Sequence, residues 1–126
     1  MTLPPYAEFL GVTVERSDDG RPPVLVMPFT SDVLGRPGFL HGGAIGGLLE
    51  MAAIVALWHA LDDDSARGKP IGVTVDYMRG GREGPTRAQG TVTRLGSRIA
   101  NVEAVAWQDD SAKPIASARM NYLLTR

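Results

Sequence analysis

Twenty consecutive residues, Gly42 to Leu61, read GGAIGGLLEMAAIVALWHAL and hold one formally charged side chain, Glu50. A helix apolar on every side has no face to give to water, so it belongs inside a protein rather than on its surface. A carboxylate enclosed there gives up hydration and has to recover it from a partner or a substrate. Such a group is seldom kept without a use, which makes Glu50 the first candidate for chemistry. The stretch is also long enough to cross a bilayer. Glu50 near its middle argues against that, because a charge at the centre of lipid costs on the order of 3 kcal/mol or more. Four glycines in the first six residues weaken a spanning segment further. The expectation is a buried core helix in a protein that does not enter a membrane.

The remaining composition narrows the class. A chain of 126 residues suits one domain, residues 1–126, with a sizeable core. A formal net charge of -1 gives no general pull toward nucleic acid or anionic lipid. The absence of cysteine excludes disulfides and thiolate metal sites and fits a reducing, cytoplasmic compartment. Two histidines, His41 and His59, leave little material for a histidine metal centre, and with no nucleotide-binding loop or metal motif in the chain no metal or cofactor is expected. The N-terminal MTLPPYAEFLG carries no basic segment followed by a long apolar one, the pattern of a signal peptide.

Periodicity supplies the elements. Residues 4–10 read as a short helix or turn, with proline suited to a first turn. Val12–Arg16 and Val24–Phe29 read as strands around the turn DDGRPP, and Pro28 predicts that the second strand is at an edge or bulged. Residues 31–41 form a loop rich in turn formers. Asp62 to Asp64 oppose the dipole at a helix C-terminus and are expected in the exit loop. Residues 71–79 alternate, with Ile71, Val73, Val75 and Tyr77 on one side; residues 87–95 follow as a strand. Ala100, Val102, Ala104 and Ala106 share a face of 99–107, as do Ala116, Ala118, Met120 and Tyr122 of the last strand. The order is β-β-α-β-β-β-β, an α+β chain. One apolar helix serves a whole antiparallel sheet, which must curl around it to cover all its sides.

Gly43, Gly46, Gly47 and Glu50 fall on one helical face. That face is either a slot where a substrate or another backbone approaches Glu50, or a site of tight packing through small residues, with Glu50 bonded to backbone. At the helix entrance, His41-Gly42-Gly43 offers free N–H groups at the positive end of the dipole. A backbone N–H near Gly42 could polarise a carbonyl there, with His41 orienting the loop or touching the substrate; a plain glycine turn beside a capping histidine has the same sequence. Gly42 and Glu50 are eight residues apart, roughly 12 Å along one helix at 1.5 Å per residue. Both can act on one carbonyl only if two chains bring opposite ends of antiparallel helices together. That demands a two-fold dimer with two composite sites.

The segments LGRPGFLHGGAIGGLLEMAA and VTVDYMRGG carry a family likeness. The chain resembles the hotdog-fold acyl-CoA thioesterases, most of all the phenylacetate-degradation (PaaI-like) and 4-hydroxybenzoyl-CoA thioesterase group. There HGG opens the central helix, and a catalytic Asp or Glu lies nine residues after the histidine, the place of Glu50. The resemblance implies a sheet wrapped around the helix, dimers that often pair into tetramers, and sites at the dimer interface. It implies that the Gly42 N–H holds the thioester oxygen while Glu50 of the other chain attacks or activates water. The substrate so implied is an aryl or medium-chain acyl-CoA. Many PaaI-like members carry Asn six residues before the histidine, where this chain has Gly35. Many also carry Ser or Thr near the start of the next strand, where it has Pro70, with Thr74 farther along. A non-catalytic hotdog protein that binds acyl-CoA or another small ligand is the alternative.

Arg79, Arg82, Arg87, Arg94 and Arg98 cluster in sequence against one acid, Glu83. Most read as solvated positions. Arg79 and the Ser97-Arg98 turn are the better candidates for coenzyme A phosphates, because the family places the nucleotide tail near such loops. With Gly43 and Tyr77 they complete the expected substrate contacts. Asp76 lies opposite in phase to Val75 and Tyr77 and reads as a solvated or interface charge. His59 reads as packed or capping, and Met51, Leu57 and Trp58 as core or acyl-pocket lining. A hotdog dehydratase would need its histidine farther upstream, near Arg36, and ranks below the other readings.

Overall fold

The computed structural model describes residues 2–16, 19–61 and 66–125. The elements are helix α1 (Pro5–Leu10), strands β1 (Thr13–Glu15) and β2 (Val24–Met27), a 3-10 turn (Ser31–Val33), helix α2 (Gly42–Ala60), and strands β3 (Arg67–Tyr77), β4 (Thr86–Leu95), β5 (Ile99–Trp107) and β6 (Ala116–Thr125). All strand pairs are antiparallel, in the order β1-β2-β4-β5-β6-β3. The sheet carries α2 on its inner face in the hotdog arrangement.

Helix α2 forms where the sequence is rich in Ala, Leu and Met and free of proline, strong helix formers throughout its second half. It is the one described helix long and apolar enough to cross a membrane, and it is instead the core helix of the fold. Leu48, Leu49, Val55 and Leu57 are fully covered, each such side chain contributing about 1.5–3 kcal/mol relative to exposure. The sheet meets them with the predicted alternation on β5 (Ala100, Val102, Ala104, Ala106) and β6 (Ala116, Ala118, Met120, Tyr122), and with Ala88 and Gly90 on β4. These mostly small residues bring the sheet very near the helix. A Cβ placed on Gly90 would lie 2.6 Å from the Ala52 carbonyl oxygen.

Three expectations need correction. Strand β2 is neither an edge nor bulged at Pro28: it lies between β1 and β4 and stops at Met27. The last ladder pair, Met27 with Thr86, precedes the proline, so the missing N–H falls beyond the sheet. Strand β3 starts at Arg67, earlier than its alternation suggested, and ends at Tyr77. It accommodates Pro70 because it is an edge strand, and its register shifts between Pro70 and Gly72. Finally, α2 is not covered on all sides within one chain. Gly43 is exposed, and Gly46, Glu50, Met51, Ile54 and Trp58 along the same side are only half-buried. The edge strand beside them leaves Ile71, Val73 and Tyr77 at 54%, 50% and 55% exposure. The expected exit loop at Asp62 to Asp64 lies outside the described residues.

Candidate active site

The entrance of α2 is fixed by its own backbone before any side chain adds to it. His41 N–H donates to Val33 O at 2.8 Å and Leu40 N–H to Gly81 O at 2.9 Å, tying the incoming loop to the 3-10 turn and to the β3–β4 connection. His41 O accepts from Ala44 and Ile45 N–H at 3.0 and 3.2 Å. The His41 ring folds back so that its Nδ1 accepts the Gly43 N–H at 2.8 Å, the side-chain cap of the helix. With Nδ1 accepting from backbone, the neutral ring carries its proton on Nε2, a tautomer assigned from the bond. The N–H groups of Gly43, Ala44 and Ile45 are thereby satisfied. That of Gly42 has no partner among the described residues. It is the first donor of the helix, at the positive end of the dipole.

Gly35, at the position where the resemblance leads one to expect asparagine, packs tightly against the helix entrance. A Cβ there would lie 3.0 Å from the His41 Cα and 3.2 Å from its N. Two backbones approach closely at this point, and a side chain there would require His41 to give by a few tenths of an ångström.

The glycine stripe is not an open slot. A Cβ on Gly47 would meet the Tyr6 ring of α1 at 2.7 Å, and one on Gly43 would meet the His41 ring at 2.9 Å, so a side chain at either position would displace one of these exposed rings. A Cβ on Gly42 or Gly46 would have Tyr77 as its nearest neighbour, at 3.5 and 3.4 Å, ordinary van der Waals contact. Own-chain packing does not require glycine at Gly42, beside the free N–H. Tyr77 donates its hydroxyl to Gly42 O at 2.8 Å. Neither tyrosine's contact with the helix is visible in the sequence, since Tyr6 lies 41 residues before Gly47 and Tyr77 lies 35 residues after Gly42, and their packing appears only on folding.

Glu50 sits midway along the uncovered side of α2. Among the described residues it accepts no hydrogen bond and pairs with no cation, so the backbone-bonded alternative is set aside. Its charge is felt below. Burial first, and the Glu50 carboxylate second, hold the Tyr122 phenol well above its ordinary range. That hydroxyl is bonded to Met120 Sδ at 3.4 Å.

Gly42 and Glu50 lie on one unbroken helix, so the separation of roughly 12 Å inferred from the rise per residue stands. The arginine candidates are also parted. Arg79 follows the Tyr77 end of β3, where its N–H bonds Ile115 O; Arg98 O accepts from Leu124 N–H near the Arg67 end. Ten residue steps of strand separate those ends, about 33 Å. Arg79 therefore shares an end of the molecule with Gly42, and Ser97-Arg98 occupies the other.

Two clefts flank the entrance region. One, about 280 Å³, lies between α1 and α2 and is lined by Tyr6, Phe9, Leu10 and Leu34, with His41 and Gly43 in its wall. The other, about 330 Å³, holds Arg79, Arg82, Lys113 and Phe39 together with Asp109 and Asp110. The Arg36 and Arg82 guanidiniums lie 4.6 and 4.7 Å from the Phe39 ring centroid, a cation–π pair that fixes the loop. Among the described residues, His59 Nε2 bonds Gly20 O at 2.9 Å rather than a carbonyl of its own helix. Asp76 lies on the outer face with Glu103 and Arg119. Leu57 is core, whereas Met51 and Trp58 lie on the uncovered side.

An apolar central helix backed by a six-stranded antiparallel sheet is the hotdog fold, which a solved protein of the thioesterase superfamily shares. The pattern of the thioesterase superfamily matches residues 37–115, and the chain belongs to that superfamily. Thioester hydrolysis is the general activity this membership supports. Among solved structures, a protein from Chromobacterium violaceum is 35% identical, with a TM-score of 0.79 over 97% of this chain and 84% of that one. A mutant thioesterase from Pseudomonas aeruginosa is 26% identical, with a TM-score of 0.81 over 95% of this chain and 85% of that one. A Bacillus halodurans protein solved with CoA is 20% identical, with a TM-score of 0.85 over 96% and 78%, a likeness of fold. No curated protein matches the chain.

Proposed function

We propose that this protein hydrolyses an acyl-CoA thioester, aryl or medium-chain, at composite sites between two antiparallel copies of α2. The observation that carries the proposal is the pairing of an unsatisfied Gly42 N–H with an unpartnered Glu50 carboxylate that one chain cannot bring together. Gly42 N–H receives the thioester oxygen, where charge develops as the carbonyl is attacked. Glu50 of the second copy activates water or attacks the carbon itself. The His41 Nε2–H is left as a further donor beside the carbonyl. Arg79, with Ser97 and Arg98 from the second copy, takes the phosphates of coenzyme A; the CoA-bound Bacillus halodurans neighbour supports that class of ligand. The chemistry needs water and no cofactor, and the cytoplasm is its expected compartment.

The half-exposed side of α2 and the apolar edge of β3 support a dimer, or a dimer of dimers, as the working form. A strictly monomeric protein with full activity would contradict the composite site. The direct test is Glu50→Gln against a panel of aryl and medium-chain acyl-CoAs. Loss of a positioned base lowers the rate by at least about 10²-fold. A variant that keeps the wild-type rate refutes the role of Glu50.

Gly35 favours a second reading, a binding protein without turnover, because it stands where many relatives carry a polar helper. That reading predicts saturable binding of coenzyme A thioesters with no hydrolysis across the same panel.

A further inference from the structure

Two adjacent glycines at the first turn of a helix ought to be the loosest backbone in the molecule. Glycine loses the most conformational freedom on folding, and the first N–H groups have no intrahelical partner. Here the two peptide units around Gly42 are held in different ways. The His41–Gly42 unit is fixed through its carbonyl, which accepts from Ala44 and Ile45 N–H at 3.0 and 3.2 Å. The Gly42–Gly43 unit is gripped at both ends by side chains: Tyr77 donates to its carbonyl at 2.8 Å, and His41 Nδ1 accepts from its N–H at 2.8 Å. The Tyr77 ring also lies against Gly42 at 3.5 Å and its hydroxyl against Gly46 at 3.4 Å. Among the described residues, the Gly42 N–H is the atom of the pair left without a protein partner.

The geometry assigns Tyr77 as a positioning residue: with the His41 cap it clamps the Gly42–Gly43 peptide and, through the Gly42 Cα that the two units share, steadies the neighbouring unit whose Gly42 N–H faces the developing oxyanion. Tyr77 does this from β3, across 35 residues of chain. Its hydroxyl is engaged with backbone rather than offered to a ligand. Gly42 O sits in the first turn, where the intrahelical bond alone constrains direction weakly and helix ends fray. The second donor removes that freedom without covering the N–H. A donor held in place before the reaction costs no reorganisation as charge develops, which is where such donors gain their effect. The assignment rests on the thioesterase proposal only for its catalytic consequence; the clamp itself is a statement about the backbone.

The test is Tyr77→Phe, which keeps the ring contact and removes the hydroxyl. Steady-state kinetics are measured on the best acyl-CoA, and the amide exchange rates of Gly42 and Gly43 by NMR on the same samples. Removing an oxyanion donor outright costs about 10²–10³-fold. Misaiming it is expected to lower kcat roughly tenfold with KM within twofold, and to speed Gly43 exchange several-fold. A rise in KM at constant kcat makes Tyr77 a substrate contact and overturns the inference while leaving the thioesterase proposal intact. Unchanged kinetics overturn it as well. If wild type hydrolyses no thioester, that proposal fails by itself and the exchange rates decide: faster Gly43 exchange in the variant upholds the clamp, and unchanged exchange refutes it.

Discussion

Replacing Gly42 by alanine separates what the helix entrance needs for folding from what it needs for chemistry. Gly42 does not have a positive φ, so alanine fits the backbone. The nearest atoms to the added methyl would be the Tyr77 ring and hydroxyl at 3.5 Å, ordinary contact that displaces nothing. Glycine-to-alanine at a compatible position stabilises by about 0.4–1 kcal/mol, mainly by restricting the unfolded chain. For a chain of this length that is a rise in Tm of roughly 1–4 °C. Activity should move the other way. An oxyanion must come within about 2.7–3.1 Å of the Gly42 nitrogen, and a methyl on the adjacent carbon obstructs that approach. A displacement of about 1 Å costs on the order of 10²-fold, or about 2.7 kcal/mol in the barrier. Thermal unfolding and kcat/KM on one purified sample check both halves. A stabilised variant with kcat/KM within threefold of wild type would show that no carbonyl approaches Gly42. A large fall in Tm would show that the contact geometry is wrong.

The same substitution at Gly90 has the opposite sign for stability. A Cβ there would lie 2.6 Å from Ala52 O and 2.7 Å from Ala56 Cβ; overpacking of this kind costs about 1–3 kcal/mol. Gly90→Ala should therefore melt several degrees below wild type, and Ala56→Gly should not rescue it because the Ala52 carbonyl remains. A third prediction concerns pH. Glu15 and Arg87 pair at 3.0 Å across the outer side of β2, and the Arg87 hydrogen bond holds the Glu15 carboxyl below its usual range. A depressed carboxylate stabilises the fold above its unfolded value, about 4.3, and that contribution is lost as pH falls through the folded one. The Tm difference between wild type and Glu15→Gln should be present at neutral pH and vanish in acid; a difference that persists there would show another cause.

Much of the fold was legible because its strongest signals are local. The apolar run from Gly42 set the helix to within one residue, and period-two alternation named the inward residues of β5 and β6. The errors came from tertiary context. Pro28 looked like an edge marker because sequence does not show that β2 stops one residue earlier. The start of β3 was hidden because Arg67, Lys69 and Pro70 do not alternate, and only pairing with β6 makes them strand. At the candidate site, the spacing of Gly42 and Glu50 was readable from helical rise alone. The occupation of the glycine stripe was not, because Tyr6 lies 41 residues before the Gly47 it meets and Tyr77 lies 35 residues after Gly42.

The placement of β6 between β5 and β3 has a consequence for biosynthesis. Helix α2 is complete at Ala60, but the last strand that covers it ends at Thr125. At about 5–20 residues per second, that interval leaves the apolar helix without its full sheet for roughly 3–13 s on the ribosome. Strand β3 emerges early in the same interval and waits for β6 before it has a partner. The chain thus passes through a stage in which an uncovered greasy helix and an unpaired strand coexist. Glu50, charged and central in the helix, interrupts the run most prone to association at that stage, as a gatekeeper does.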